Sequence, residues 1–253
     1  MPTFRCAART DVGMKREHNE DSYLVNEDLG LYVVCDGMGG HAGGETASRL
    51  AVQTIERELL SARLRADDPF ASKAPLAETP LAGALREAVE GACAAVFRTS
   101  RVNPELAGMG TTCIALLLHR EDAIVGHVGD SRAYLVRDGA VHQLSEDHSL
   151  VNEQVRAGLL TKEEARRSRL KNIITRSVGY EEDVLVDVVG LTTRPGDRFL
   201  LCSDGLSNLV ANGEIRDALV ELPVDEVPAS LIRLANERGG DDNVTVVAIE
   251  RAG

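Results

Sequence analysis

Apolar positions along the chain fall into two rhythms. Short runs rich in β-branched and aromatic residues alternate with stretches where apolar residues recur every three or four positions. D21-S-Y-L-V and L31-Y-V-V-C are runs of the first kind, and the polar N26-E-D-L-G30 between them predicts a hairpin. If Val25 faces Leu31, Glu20 lies opposite Asp36 and Asp21 opposite Cys35. Two carboxylates then stand side by side at the open end of the hairpin. Like charges directly opposite destabilise a sheet, so this register calls for a compensating cation. A slip of one residue would exchange the faces.

E45-T-A-S-R-L-A-V-Q-T-I-E-R-E-L-L60 places Ala47, Leu50, Ala51, Ile55 and Leu59 at helical spacing, and Leu81–Phe97 predicts a second helix after Pro80. Strands are expected over Thr112–His119, Ala123–Val128, Arg132–Val136 and Val141–Leu144. R137-D-G-A140 marks a tight turn between the last two. Helical stretches follow at Ser149–Gly158 and behind a capping box in T161-K-E-E164. Strands Val184–Leu191 and Arg198–Cys202, helices Glu214–Glu221 and Ala229–Arg238, and strand Val244–Glu250 complete the pattern. Arg65–Pro80, rich in Pro and Ala, reads as a surface connection. Many hairpins with segregated helices predict an α+β fold rather than an alternating β-α-β one.

The 253 residues are 43% hydrophobic and 27% charged, a globular rather than a disordered composition. Aromatics are only 3% and Trp is absent, so Leu, Val, Ile and Ala must fill the core. The longest apolar run, Cys113–Leu118, is far short of the ~20 residues that span a bilayer. No secretory h-region follows Met1, so no membrane segment is expected. Five widely spaced cysteines without C-x-x-C point to buried, reduced thiols and a cytoplasmic compartment. A net charge of −12 argues against nucleic acid as a partner. That charge either serves solubility or marks acids clustered to hold cations, and only placement separates the two.

The placement is suggestive. Asp36 ends L-Y-V-V-C, Asp130 follows A-I-V-G-H-V-G, Asp204 follows F-L-L-C-S, and Asp242 precedes N-V-T-V-V-A-I. Each sits at a predicted strand end beside a Gly or Asn, where the backbone turns sharply. One such acid is ordinarily a turn residue; four of them, with Glu20 and Asp21, point to a rim of oxygen ligands for Mg²⁺ or Mn²⁺. A dinucleotide loop is the competing reading of D36-G-M-G-G-H-A-G43. The G-x-G-x-x-G spacing is broken at Ala42, and no strand-ending acid follows ~20 residues on.

Eight short motifs occur in order: G13-M-K-R16-E-H-N19-E20-D21, D36-G-M-G-G-H-A-G-G-E45, G108-M-G-T-T112, G129-D-S-R132, D147-H-S-L150, I174-T-R-S-V-G179, S203-D-G-L206 and G239-G-D-D-N243. Together they resemble the bacterial branch of the metal-dependent, type 2C protein serine/threonine phosphatases, from about Thr10 to Ile249. The resemblance implies two antiparallel β-sheets packed as a central sandwich flanked by helices, a four-layer α-β-β-α arrangement within the α+β class. It implies one catalytic domain over 1–253, with a flap at about 149–176. It also implies hydrolysis of phosphoserine and phosphothreonine in proteins by a metal-activated water, reversing the action of a cognate Ser/Thr kinase.

By position, Asp36 resembles the carboxylate that bridges two Mn²⁺ or Mg²⁺ ions, and Gly37 the carbonyl ligand of the first. Asp204 and Asp242 match ligands of the second. Glu20 and Asp21 match an acidic pair that binds directly or through water, and Asp130 matches an acid of a third, weaker site. Arg16 matches the guanidinium that grips the substrate phosphate, a task suited to fixed bidentate donors. Eukaryotic relatives often carry His directly after D-G, where this chain has Met38; His41 stands after G-G, as in bacterial relatives. His41 then either protonates the leaving alkoxide or orients the following helix. Cys35 and Cys202 are expected to be structural, since C202-S-D-G lacks the basic phosphate loop of tyrosine phosphatases. In the flap, S168-R-L-K-N replaces the more usual His-Pro stretch. No long apolar stripe suggests an obligate dimer, so a monomer is expected. The alternatives are a phosphoprotein-binding scaffold, which should have lost a metal acid, and a two-metal nuclease or small-molecule phosphoesterase, which the acidic surface disfavours.

Overall fold

Alternation along Leu31–Met38 sends Leu31, Val33 and Cys35 to one side and Tyr32 and Val34 to the other, and all five are buried. A strand buried on both faces must lie inside a layered structure. The computed structural model, which describes residues 2–39, 42–65 and 76–252, shows how the layers are made.

Two antiparallel sheets carry the fold. The first has the order β1 (Phe4–Asp11), β11 (Val244–Arg251), β10 (Arg198–Cys202), β7 (Arg132–Arg137) and β8 (Ala140–Gln143). The second has the order β2 (Asp21–Asn26), β3 (Leu31–Met38), β5 (Cys113–His119), β6 (Asp122–Val128) and β9 (Asp187–Thr192). The two-residue β4 (Gly110–Thr111) pairs with the end of β3. Between the sheets, Tyr32, Val34, Ile114 and Val125 of the second meet Leu135, Phe199, Leu201 and Val247 of the first.

Helices cover the outer faces. Over the second sheet lie α1 (Ala42–Arg65) and α2 (Pro80–Val102), whose Ala51, Ile55, Leu85 and Val89 pack with Val33, Ala115 and Leu117. Over the first lie α5 (Asp204–Ser207), α6 (Asn212–Glu221) and α7 (Val227–Glu237), whose Leu206, Ile215 and Leu231 pack with Leu200, Val246 and Ala248. The layer sequence is helices, sheet, sheet, helices, as expected. Two short helices, α3 (Leu150–Arg156) and α4 (Lys162–Arg167), lie in the segment 149–176 that is expected to be the flap. Its ends are tied: Ser149 and Ile174 bridge, and the Leu150 N–H donates to the Ile173 carbonyl at 2.9 Å. The capping box between Thr161 and Glu164 is present.

Three expectations are corrected. The hairpin register is shifted by one: Asn26 faces Leu31 and Asp21 faces Asp36, so Glu20 is not opposite Asp36 and Cys35 faces Ser22. The cause is the turn. Asn26 stays in the strand and caps it, accepting from the Leu29 N–H at 3.0 Å, while Gly30 takes φ 67°. Helix α1 begins at Ala42 rather than Glu45, and β9 begins at Asp187 rather than Val184. Strand β1 escaped the sequence reading altogether, because Arg5, Arg9 and three small residues dilute its pattern. The R137-D-G-A140 turn forms as expected, with Asp138 and Gly139 at φ 53° and 75°. Most of the Arg65–Pro80 connection lies outside the described residues.

Candidate metal centre

The acids reach one rim from both sheets. Asp36 rides on β3, where Thr111 and Thr112 grip its backbone. Its N–H donates to Thr112 Oγ1 at 2.9 Å, and its carbonyl accepts from the Thr112 N–H and from Thr111 Oγ1, each at 2.8 Å. Asp204 opens α5 just past β10, and Asp242 lies just before β11. Asp130 sits in the short turn that carries the chain from β6 in one sheet to β7 in the other.

Gly37 is fixed by close approach. Its N–H donates to the Glu20 carbonyl at 3.2 Å. A Cβ there would stand 2.1 Å from the Gly44 carbonyl oxygen and 2.6 Å from that of Glu20. Only glycine lets the start of α1 and the Glu20 segment close around this point. Asn243 holds the Glu20 segment from the other side. Its Oδ1 accepts the Glu20 N–H at 2.8 Å, while its Nδ2 donates to the carbonyls of Val12 and His18 at 2.9 Å each. Thus one amide anchors both ends of the loop that bears Arg16.

Arg16, Glu20, Asp36, Gly37, Asp130, Asp204 and Asp242 all line one open cleft of about 510 Å³, with Asn172 and Ile174 of the flap on its wall. Asp21 lies behind it, 7% exposed, accepting at Oδ2 from Ser203 Oγ at 2.8 Å and Thr245 Oγ1 at 2.6 Å. His41 lies outside the described residues.

Crowded carboxylates in a low-dielectric rim hold their protons. Burial, reinforced by Asp21, Asp204, Asp130 and Asp242, pushes the Asp36 carboxyl well above its ordinary range. Burial raises Asp130 to about 8 and Asp21 to about 7, with Asp204 adding to both. Asp204 and Glu20 are raised as well, again chiefly by burial.

The residues fit a hard divalent cation. Asp21 Oδ1 and Asp204 Oδ1 are buried with no hydrogen-bond partner. Orphaned carboxylate oxygens in such a setting are costly, and an all-oxygen donor set matches Mn²⁺ or Mg²⁺. Among the described residues no three His, Cys, Asp or Glu side chains are gathered round a single point. Asp242 is turned toward Arg16, whose Nη2 lies 2.8 Å from Oδ2. Cys35 and Cys202 are buried and their thiols are pushed up, Cys202 to about 12 by burial, so neither is a ready nucleophile.

Asn243, Ser203 and the Thr111–Thr112 pair stand inside the motifs with no task assigned there, and Thr245 stands just outside them. Their signal is a polar residue inside or at the tip of an otherwise apolar strand, as in N-V-T-V-V.

Comparison with known proteins gives a consistent picture. The family model described as protein phosphatase 2C matches residues 14–242. The serine/threonine phosphatase stp of Listeria monocytogenes serovar 1/2a is 37% identical over 247 residues, spanning 96% of this chain and 94% of that protein. The serine/threonine protein phosphatase PstP of Mycobacterium tuberculosis H37Rv is 39% identical over 248 residues, spanning 98% of this chain and 45% of that protein. A crystal structure of the M. tuberculosis enzyme superposes with a TM-score of 0.88 at 36% identity, covering 100% of both chains. The catalytic domain of PstP in complex with two manganese ions superposes at 0.82 with 37% identity, again covering 100% of both.

Proposed function

The chain belongs to the protein phosphatase 2C family and is a metal-dependent protein serine/threonine phosphatase, and from that premise we propose how its residues divide the work. Asp36 and the Gly37 carbonyl would hold one cation, and Asp36, Asp204 and Asp242 would hold a second. Glu20 and Asp21 support the pair directly or through water, and Asp130 serves a third, weaker site. Manganese is the favoured ion, since a relative binds two of them; magnesium suits the same oxygen donors. When bound, such ions supply positive charge against phosphoryl oxygens and acidify water.

The chain's own groups do the rest. Arg16 leaves Asp242 and grips the substrate phosphate through its guanidinium. The raised affinity of the rim carboxylates for protons would fall as cations arrive. His41 donates a proton to the leaving serine or threonine oxygen. Buried hydroxyls of Thr112, Ser203 and Thr245 keep the ligands aimed.

The observation that carries this reading is the meeting of Asp36 from one sheet with Asp204 and Asp242 from the other in one cleft, with Arg16 at its edge. Its test is hydrolysis of phosphothreonine peptide, phosphotyrosine peptide and a nucleotide, with and without Mn²⁺. The phosphothreonine peptide should be cleaved with Mn²⁺ and spared in EDTA. Activity that survives EDTA, or is confined to nucleotides, overturns the assignment.

The substrates are phosphoproteins, and a Ser/Thr kinase that makes them is the expected counterpart. A single catalytic domain over 1–253 acts as a monomer, with the flap at 149–176 selecting substrate. Five unpaired cysteines favour a reducing, cytoplasmic setting. Among the described residues no helix is long and apolar enough to cross a membrane.

A further inference from the structure

Behind the cleft, where β6, β9 and the flap meet, lies a second cluster of titratable groups. His148 stands at its centre, 7% exposed. It holds Gly129, the residue before Asp130, at two points. Its ring Nδ1 accepts from the Gly129 N–H at 3.0 Å, and its own backbone N–H donates to the Gly129 carbonyl at 2.7 Å. Gly129 needs such anchors. Its φ is 108° and a Cβ would lie 2.7 Å from the Thr112 side chain, so no side chain of its own can fix it.

The same histidine also holds the returning limb of the flap. Its carbonyl accepts from the Thr175 N–H at 2.9 Å. Its Nε2 lies 3.0 Å from Asp187 Oδ2, and Asp187 Oδ1 accepts from Arg176 at 2.7 Å. Arg176 Nη1 also lies 3.0 Å from that Nε2 and donates to the Leu185 carbonyl at 3.0 Å. Because Nδ1 accepts, the neutral ring carries its proton on Nε2 and gives it to Asp187. The His127 ring lies against His148, 4.6 Å between centroids and tilted by 33°. Burial keeps both imidazoles neutral, lowering His127 to about 3 and His148 in the same direction.

We propose that His148 is a positioning residue that locks the Gly129–Asp130 turn to the base of the flap, so that the aim of the Asp130 carboxylate and the order of the flap depend on each other. His148 reaches neither the cleft nor its ligands; it acts through Gly129 on one side and through Asp187 and Arg176 on the other. The inference rests on Asp130 serving as a cation ligand at the rim.

Three substitutions in the full chain separate these contacts. His148→Ala removes the ring's contacts with Gly129, Asp187 and Arg176. His148→Asn places an amide oxygen near the position of Nδ1, keeping an acceptor for Gly129 while losing Asp187. Asp187→Asn leaves the imidazole and withdraws the charge that holds Arg176. Amide hydrogen exchange on the metal-free chain, Mn²⁺ affinity by calorimetry, and kcat and KM on a phosphothreonine peptide are the readouts. His148→Ala should speed exchange at Gly129 and across 170–176 about tenfold, the loss of one hydrogen bond. It should weaken the weakest Mn²⁺ site about tenfold or more and raise KM for the peptide. His148→Asn should restore Gly129 protection and Mn²⁺ affinity while the flap stays fast, and Asp187→Asn should loosen the flap. If His148→Ala is too unstable to study, the other two still decide. Variants that melt lower while exchange at Gly129, Mn²⁺ affinity and KM stay as in the wild type would reduce His148 to packing. Asp130→Asn, measured alongside, separates the premises: unchanged Mn²⁺ affinity there sinks the ligand assignment, whereas the metal-free exchange bears on His148 alone.

Discussion

Asp21 faces Asp36 directly across the β2–β3 ladder, so one hairpin carries two carboxylates on the same face at its open end. Without a cation this is a repulsive pair. Burial raises Asp21 from 3.8 to about 7. In the metal-free chain the folded state therefore keeps a proton that the unfolded chain has released. The stability from that linkage is complete below about pH 4 and is lost as pH rises through about 7. Thermal melts in EDTA should show Tm falling from about pH 5 to pH 8 relative to Asp21→Asn, whose amide does not titrate. Mn²⁺ should raise the wild-type Tm more at the higher pH. Parallel pH curves for the two chains would count against the pairing.

Among the described residues, Asp204 Oδ1 is buried without a partner, and the Asp242 side chain meets Arg16 in an exposed ion pair and accepts from the neighbouring Asn243 N–H. Asp204→Asn and Asp242→Asn should each cost at least about a hundredfold in Mn²⁺ affinity, measured by calorimetry, with activity lost in step. Asp204→Asn should leave the fold intact by circular dichroism, since an amide fills the same space.

Arg16 is half-exposed and paired to Asp242 at 2.8 Å. Lysine in its place keeps the charge but loses the planar fork. Arg16→Lys should lower kcat/KM on phosphopeptides about ten- to hundredfold, the range for a charge-assisted hydrogen bond. Mn²⁺ affinity should change little, and a large change there would place Arg16 among the groups that hold the ion.

Gly37→Ala introduces a methyl 2.1 Å from the Gly44 carbonyl. Backbone must move, so the variant should lose about 1–3 kcal/mol by denaturant unfolding. Activity should fall further than that loss explains, because Asp36 and Glu20 shift together.

For His41, the comparison is between leaving groups. His41→Ala should slow a phosphoserine peptide more than p-nitrophenyl phosphate, whose phenolate needs little protonation. Equal losses on both would assign His41 to orienting α1 instead.

Much of this was legible from residue order. Asp36, Asp204 and Asp242 announced themselves because each ends or begins an apolar run beside Gly or Asn, a signal local in sequence. The α+β class was legible because hairpins and helices are segregated along the chain, whereas the four-layer sandwich was implied only by the resemblance that the ordered motifs carry. The register was not, because it turned on whether Asn26 belongs to the strand or to the loop, and a side-chain cap decided that. Asn243 and Thr245 were silent for a different reason. Thr245 serves a carboxylate 224 residues earlier in the chain, and its task exists only once β11 lies beside β2. His148 is a similar case: D147-H-S-L150 is recognisable, but its partners Gly129 and Asp187 come from opposite directions along the chain.

The rim draws Asp21 and Asp36 from one sheet and Asp204 and Asp242 from the other, and the greasy seam between them is set by side chains such as Phe199, Tyr32 and Leu201. The centre therefore behaves as a vernier scale, reading how one sheet is slid and turned against its neighbour. A methylene removed far down that seam would register at the rim as a changed spacing between acids, so ion affinity becomes a gauge of alignment inside the sandwich.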